Sequence, residues 1–299
     1  MQIVVAGASG FLGTHLTAAL TQQGHQVTKL VRRPASGDGE STWDPYAGRL
    51  DDHVIEAADV VVNLAGAPTA GNPHSKKWAR ALEESRVVTT RLLAERIAAA
   101  TTKPAFLAGN GVSYYGDHGA DLLTEEGTSR GDALLTRVAR SWQAATEPAA
   151  AAGARVCILR TSPVMDRRSA PLKQLALLSK LGLGTRLGDG RQYFPMISLR
   201  DWVGAVVHLV DRDDAAGPFN LCCPQTPTNR EFTDALAHGV GRRALLVAPA
   251  FIIDKAAGDL ASEVLGSVRA EPAALLAAGF VFRDEDVSEV LASGLRTVS

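Results

Sequence analysis

The stretch QIVVAGASGFLG, residues 2–13, begins as a β-branched run and ends with glycines at Gly7, Gly10 and Gly13, each three residues from the last. A short apolar run closed by glycine reads as a strand. Leu12, Leu16 and Leu20 then recur at helical spacing and predict a helix over 11–22. Gly24 closes that helix and 26–31 reads as a second strand, which makes a βαβ unit of about 30 residues. In such a unit Gly7 permits the sharp turn, Gly10 lets main-chain amides approach a pyrophosphate, and Gly13 lets the helix press against the sheet. Ser9, Phe11 and Leu12 supply further amides at the positive end of the helix dipole, where an anion is favoured. An ordinary tight turn uses the same glycines; the strand before them and the helix after them are what predict a dinucleotide site.

The second strand ends Leu30-Val31-Arg32-Arg33-Pro34. A carboxylate there would read the ribose hydroxyls of NAD. Two guanidiniums suit a 2′-phosphate instead, which arginine grips with a forked, charge-assisted pair of hydrogen bonds. NADP(H) is therefore the expected cofactor and NAD(H) the less favoured one, although two solvated surface arginines have the same sequence. Asn63, Leu64, Ala65 and Gly66 end a third apolar strand, where small residues let the chain pass beside the adenosine and ribose.

Further short apolar strands at 60–64, 105–108, 156–159 and 219–221 alternate with helical patterns at 78–100 and 133–145. This rhythm predicts an α/β fold, a Rossmann-type doubly wound parallel sheet with a smaller C-terminal substrate lobe. The NADP-binding domain is expected over 1–165 with returning segments near 201–222, and 166–299 is expected to be mostly substrate lobe and helical tail. Residues 162–200 carry glycines, prolines and basic residues without a strand-helix rhythm. A helix follows at 201–209, capped by Asp201, and a short strand is expected at 280–282.

Size and composition narrow the function. At 299 residues and 46% hydrophobic content the chain supports a substantial core. Lys plus Arg number 31 against 32 acidic residues, so no overall positive field exists for nucleic acid or anionic membrane. Cys157, Cys222 and Cys223 have no ligand spacing and read as reduced, buried thiols. The apolar residues begin at Ile3 without an export pattern, and no apolar run approaches about 18 residues, which predicts a cytoplasmic protein. The histidines show no metal spacing, with His15 and His25 read as surface or helix-end residues, and no G-x-S-x-G elbow is present.

Taken together the motifs resemble the extended short-chain dehydrogenase/reductase superfamily, and more closely its atypical branch of epimerase family proteins. The matching pieces are AGASGFLG at 6–13, LVRRP at 30–34, VVNLAGAP at 61–68, Ser85-Arg86 with Thr89-Thr90, SYYGD at 113–117, LRT at 159–161 and GDGRQY at 188–193. The tail, with Arg269, Pro272 and AGFVF at 278–282, is similar to that branch's C-terminal region. The resemblance implies a small-molecule substrate, Arg86 among the cofactor contacts, Arg160 near the nicotinamide end, and a monomer or a homodimer formed through the helices near 78–100 and 133–147. For Arg160 a structural salt bridge serves equally well.

In the reductases proper, family knowledge implies a Tyr-x-x-x-Lys pair as proton donor and cofactor holder. Alignment places Leu134 and Val138 at those positions and Asn110 or Gly111 at the accompanying Ser/Thr. Losing a placed acid or base costs about 10² to 10⁴ in rate, so ordinary hydride chemistry does not carry over unchanged. Replacement candidates are Ser113, Tyr114 and Tyr115, after a predicted strand's carboxyl end, with a packed role the stronger reading for Tyr115. Arg191 and Gln192 either face an anionic or nucleotide-like substrate or form a solvated loop. Two functions remain in competition: an NADP-dependent, epimerase-like oxidoreductase of a small polar or nucleotide-linked molecule, or a catalytically silent NADPH-binding sensor. A proton donor near nicotinamide C4 would mark the first and an apolar lining the second.

Overall fold

Strand β1 (Gln2–Ala6) turns Ile3 and Val5 to one face of a sheet and Val4 and Ala6 to the other, and both sets are buried. A parallel strand covered by helices on two sides requires such a run. In this computed structural model β1 pairs in parallel with β2 (Gln26–Val31) and β4 (Val60–Asn63). Beyond β2 lies β3 (Glu40–Thr42), and beyond β4 lie β5 (Ala105–Gly111), β7 (Val156–Thr161) and β11 (Gly217–Leu221), giving the order 3-2-1-4-5-7-11. The chain winds one way from β1 and then the other, so a crevice opens at the carboxyl ends of β1 and β4. The structure describes residues 1–69, 71–249, 251, 253, 255 and 258–296; parts of the expected helical tail, at 250, 252, 254, 256–257 and 297–299, lie outside them.

Helix α1 (Phe11–Gln22) and helix α7 (Leu199–Val210) cover one face, burying Leu16, Leu20, Trp202 and Val206 with Ile3, Val5 and Leu159. On the other face α2 (Asp52–Glu56) and α3 (Lys76–Ala99) bury Ile55, Leu93 and Ile97 against Val4, Val61 and Phe106. Helix α4 (Leu134–Ala144) lies along α3, followed by α5 (Glu147–Ala151). A separate apolar core joins Met165, Met196 and Val290 to α6 (Ala170–Lys180) and α8 (Asn229–Gly239). Short parallel pairs stitch this lobe: β6 (Leu122–Leu123) with β13 (Arg269–Ala270), β8 (Val164–Met165) with β10 (Ile197–Ser198), and β9 (Thr185–Leu187) with β12 (Leu246–Ala248). Among the described residues no helix is long and apolar enough to cross a membrane.

Three local readings change. The 162–200 stretch contains α6 and strands of two or three residues, too short to show a period; Pro171 stands in the first turn of α6, where proline is tolerated. Helix α7 begins at Leu199, and its cap is Ser198, whose hydroxyl accepts from the Asp201 amide at 3.3 Å. The buried Asp201 carboxylate reaches across to the tail and accepts from the amides of Arg283 at 3.1 Å and Asp284 at 2.8 Å. Residues 280–282 form no strand: Phe280 and Phe282 meet edge to face at 4.9 Å and pack on the α1–α7 side of the sheet, so their alternation records packing and not pairing. The three cysteines are buried and free, and burial raises each thiol, Cys157 to about 11 and Cys223 to about 12.

Removing the Asp201 carboxylate strands two amides that anchor the tail. Asp201→Ala is expected to lower stability by about 2–4 kcal/mol in urea unfolding, whereas Asp201→Asn keeps an acceptor and loses less.

Candidate functional site

At the end of β1 the backbone itself determines the geometry. Gly7 has φ +80°, and a Cβ there would lie 2.6 Å from the Leu64 carbonyl carbon. The turn after β1 and the turn after β4 therefore touch, and the Leu64 amide donates to Ala6 O at 2.9 Å. A Cβ on Gly13 would come within 2.2 Å of Gly7 O, so α1 lies directly on the turn. Gly10 is the N-cap of α1; no side chain caps the helix and no acidic residue stands in its first turn. The first bond within the helix runs from Thr14 N to Gly10 O at 2.9 Å, which leaves the Phe11, Leu12 and Gly13 amides ahead of it directed out of the helix end. Ser9 and Gly10 are exposed, so no side chain fills the space above them. An anion fits this cradle.

Arg32 and Arg33 diverge. Arg33 forms a forked pair with Glu40, at 2.7 and 2.6 Å, and Glu40 also accepts from the Ser36 amide and hydroxyl. These donors, Arg33 first, bring the Glu40 carboxyl from its ordinary 4.5 down to about 2. A carboxyl lowered in this way keeps its partner fully above pH 4.5 and releases it as pH falls towards about 2. Arg32 is exposed and has no ion pair among the described residues; it lines a cavity of about 630 Å³ with Thr42, Trp43 and Arg49. Nothing in the sequence linked Glu40 to Arg33.

Behind the glycine turn, Asn63 is buried and used on both sides. Its amide donates to Thr90 Oγ1 at 2.9 Å and its oxygen accepts from the Ala65 amide at 3.0 Å, which sets the course of Leu64 to Gly66. Thr90 also accepts from the Trp142 indole at 2.8 Å, so one hydroxyl joins β4, α3 and α4. Arg86 sits 5.1 Å over the Trp142 ring, donates to Leu82 O at 2.9 Å and lies against Gly66. Burial alone lowers its guanidinium to about 10, and no described carboxylate pairs with it.

Beyond β5 the three replacement candidates occupy different surroundings. Ser113 is half-buried, with a long 3.5 Å contact to Leu135 O. Tyr114 is half-buried and its ring is stacked 3.8 Å from the Arg160 guanidinium. Tyr115 is buried completely; its hydroxyl donates to Asn220 Oδ1 at 2.8 Å or Thr124 O at 3.0 Å and accepts from Arg160 at 2.8 Å. Burial pushes that phenol up to about 12 against the pull of Arg160. Arg160 makes no salt bridge among the described residues. Its other partners are Glu125 O at 3.1 Å and Gln143 Oε1 at 3.2 Å, while its Nε finds no acceptor. The nearby Glu125 carboxylate accepts from the Asn220 and Ala274 amides, and burial raises it. These partners lie 9 to 149 positions from the groups they hold, and no local pattern marks them.

Leu134 and Val138 are buried apolar residues on α4. Asn110, also buried, donates to Ala139 O at 3.1 Å and accepts from the Gly111 amide. In the second lobe Arg191 is 88% exposed beside Asp189 at 4.0 Å, while Gln192 folds back to donate to Leu187 O at 3.0 Å. The lobe instead offers Arg269, stacked 5.0 Å over Tyr193.

Comparison with known proteins matches two stretches of the chain. Residues 3–222 match the NAD dependent epimerase/dehydratase family, and residues 248–293 match a domain of unknown function. An epimerase family protein of Mycobacterium bovis is 37% identical over 97% of this chain and 96% of its own length. The epimerase family protein SDR39U1 of Homo sapiens is 30% identical over 97% of this chain and 98% of its own. A crystal structure of that human protein, isoform 2 with NADPH, superposes with a TM-score of 0.86 over 98% of this chain and 99% of the other, at 28% identity.

Tyr115→Phe removes a hydroxyl that three groups share. It is expected to cost about 1–3 kcal/mol in thermal or urea unfolding while dinucleotide affinity stays within error.

Proposed function

The chain belongs to the NAD dependent epimerase/dehydratase family, and on that premise we propose that it is an NADP(H)-binding, epimerase-like oxidoreductase acting on a small polar or nucleotide-linked molecule with a rearranged acid/base set. The observation that carries the reading is the uncapped positive end of α1, open above Ser9 and Gly10, with Arg32, just after β2, in no ion pair among the described residues. The human relative crystallised with NADPH supports the same cofactor. NADPH, when bound, supplies hydride chemistry. The amides of Phe11, Leu12 and Gly13 hold the pyrophosphate, and the chain from Asn63 to Gly66 borders the adenosine side.

Arg32 grips the 2′-phosphate, while Arg33 contributes less because Glu40 already occupies its fork. Arg86, a cation desolvated without a carboxylate, faces a negative group of cofactor or substrate. Of the three hydroxyls after β5, Tyr114 is the proton donor we favour, because Tyr115 is consumed by the interior; Ser113 orients the substrate. The buried Leu134 and Val138 favour a second reading, a sensor that binds NADPH without turnover.

Calorimetry separates these readings. Arg32→Ala is expected to weaken NADPH about 10- to 100-fold and leave NADH unchanged, with a smaller loss for Arg33→Ala. Equal affinity for both dinucleotides would remove the phosphate assignment, and binding of neither would remove the reading altogether. Under NADPH, a substrate screen should yield turnover that Tyr114→Phe lowers about 10²- to 10⁴-fold at unchanged NADPH affinity. Tight binding with no turnover across the screen selects the sensor.

A further inference from the structure

The overall charge of −1 conceals an uneven distribution. The segment 167–188 carries Arg167, Arg168, Lys173, Lys180 and Arg186, the segment 238–249 carries Arg242 and Arg243, and neither contains a carboxylate. The structure brings the two together, because β9 pairs with β12 and Arg242 donates to Lys180 O at 3.0 Å. Arg186 pairs with Asp234 and Arg168 with Asp166. Lys173, Lys180, Arg242 and Arg243 are exposed and in no ion pair with a described residue.

Apolar surface gathers in the same place. Of fourteen exposed large apolar side chains among the described residues, seven belong to these segments. Leu177, Leu178, Leu181 and Leu183 stand at the end of α6 and on the approach to β9, with Leu181 65% exposed. Leu245, Leu246 and Val247 follow one another into β12, and Leu245 is 81% exposed. Along β12 Leu246 and Val247 are exposed, whereas β9 is half-buried against α8, where Arg186 pairs with Asp234. Soluble surfaces scatter single leucines; a contiguous group with a polar rim marks an interaction site.

We propose that this edge of the second lobe docks on an anionic lipid bilayer surface, with the leucines entering the headgroup boundary and the four basic side chains meeting lipid phosphates. Charge selects this occupant: exposed leucines rimmed by basic side chains combine the two terms by which a surface binds an anionic interface, apolar insertion and attraction to lipid phosphates. A second copy placed by a two-fold axis sets the basic rim against itself, and like charges oppose that contact. The proposal is independent of the cofactor reading.

Flotation with the full chain tests it, using vesicles of phosphatidylcholine alone and of phosphatidylcholine mixed with phosphatidylglycerol. The protein is expected to float with the mixed vesicles and not the neutral ones, and added salt should release it. Arg242→Glu combined with Arg243→Glu should weaken partition about 10-fold or more, and Leu181→Ser combined with Leu245→Ser should do the same at unchanged Tm. Equal binding to both vesicles, no binding to either, or binding that ignores these variants overturns the proposal. Absent vesicle binding together with a concentration-dependent dimer in sedimentation velocity, dissolved by Leu181→Ser, would assign the face to a second copy.

Discussion

No side chain can stand between the end of β1 and the turn after β4, and most of the site follows from that contact. Any Cβ on Gly7 would occupy the Leu64 carbonyl, and any Cβ on Gly13 would occupy the Gly7 oxygen. Three stretches of backbone thus close on one another at the carboxyl edge of the sheet. The helix end is pressed forward and its unbonded amides have only the crevice to face. Asn63 then fixes the second wall from behind, and through Thr90 and Trp142 the same bonds reach α4. A substitution at either glycine would move all three stretches at once.

Arg160 imposes the second constraint. A buried guanidinium that forms no ion pair among the described residues is held by neutral groups, here a phenol, a backbone carbonyl and a side-chain amide, with two aromatic rings over its face. This explains why two adjacent tyrosines behave differently. Tyr115 is drawn inward as an acceptor for Arg160 and is held by Asn220, whereas Tyr114 lends only its ring and keeps its hydroxyl outside that network. The apolar Leu134 and Val138 of α4 border an interior that already contains Arg160 and the buried Glu125 carboxylate, which attract each other. A lysine at Val138 would add a further cation beside the same helix.

The sequence carried the parts of the fold that depend on neighbours in the chain. The continuous apolar run in 2–6, the leucine spacing in α1 and the glycine triplet are local, and they sufficed for the first βαβ unit. Asp201 marks the limit of local reading: a carboxylate in the first turn has the residue type of a cap, but Ser198 performs that role and Asp201 serves amides 82 and 83 residues away. The two arginines after β2 were legible as a pair, and their division was not, since Glu40 is brought to Arg33 by the pairing of β2 with β3. Residues 280–282 mislead for a related reason, because packing of alternate aromatic residues on a neighbouring layer has the same period as a strand.

The C-terminal stretch is attached chiefly through side chains that hold backbone. Asp201 receives the amides of 283 and 284, Glu125 receives that of Ala274, and the Ser267 hydroxyl accepts from the Tyr193 amide while donating to Gly119 O. The contacts of Asp201 and Glu125 tolerate variation in the tail's own side chains yet fix its path, since every residue but proline carries the amide they need. Others, like that of Ser267, run from tail side chains to the rest of the chain: Asp284 pairs with Arg200, and Glu263 accepts from the Leu135 amide at 2.5 Å, serving the first turn of α4, where Ala133 provides no side-chain cap. A carboxylate at that end of a helix also meets the positive side of its dipole. Helix α4, which buries Leu134 and Val138, therefore starts on a group supplied by the tail. That dependence gives a physical reason for the sheet domain and the C-terminal region to occur together: without the tail, α4 would lose its acceptor and the wall behind Tyr114 its anchor.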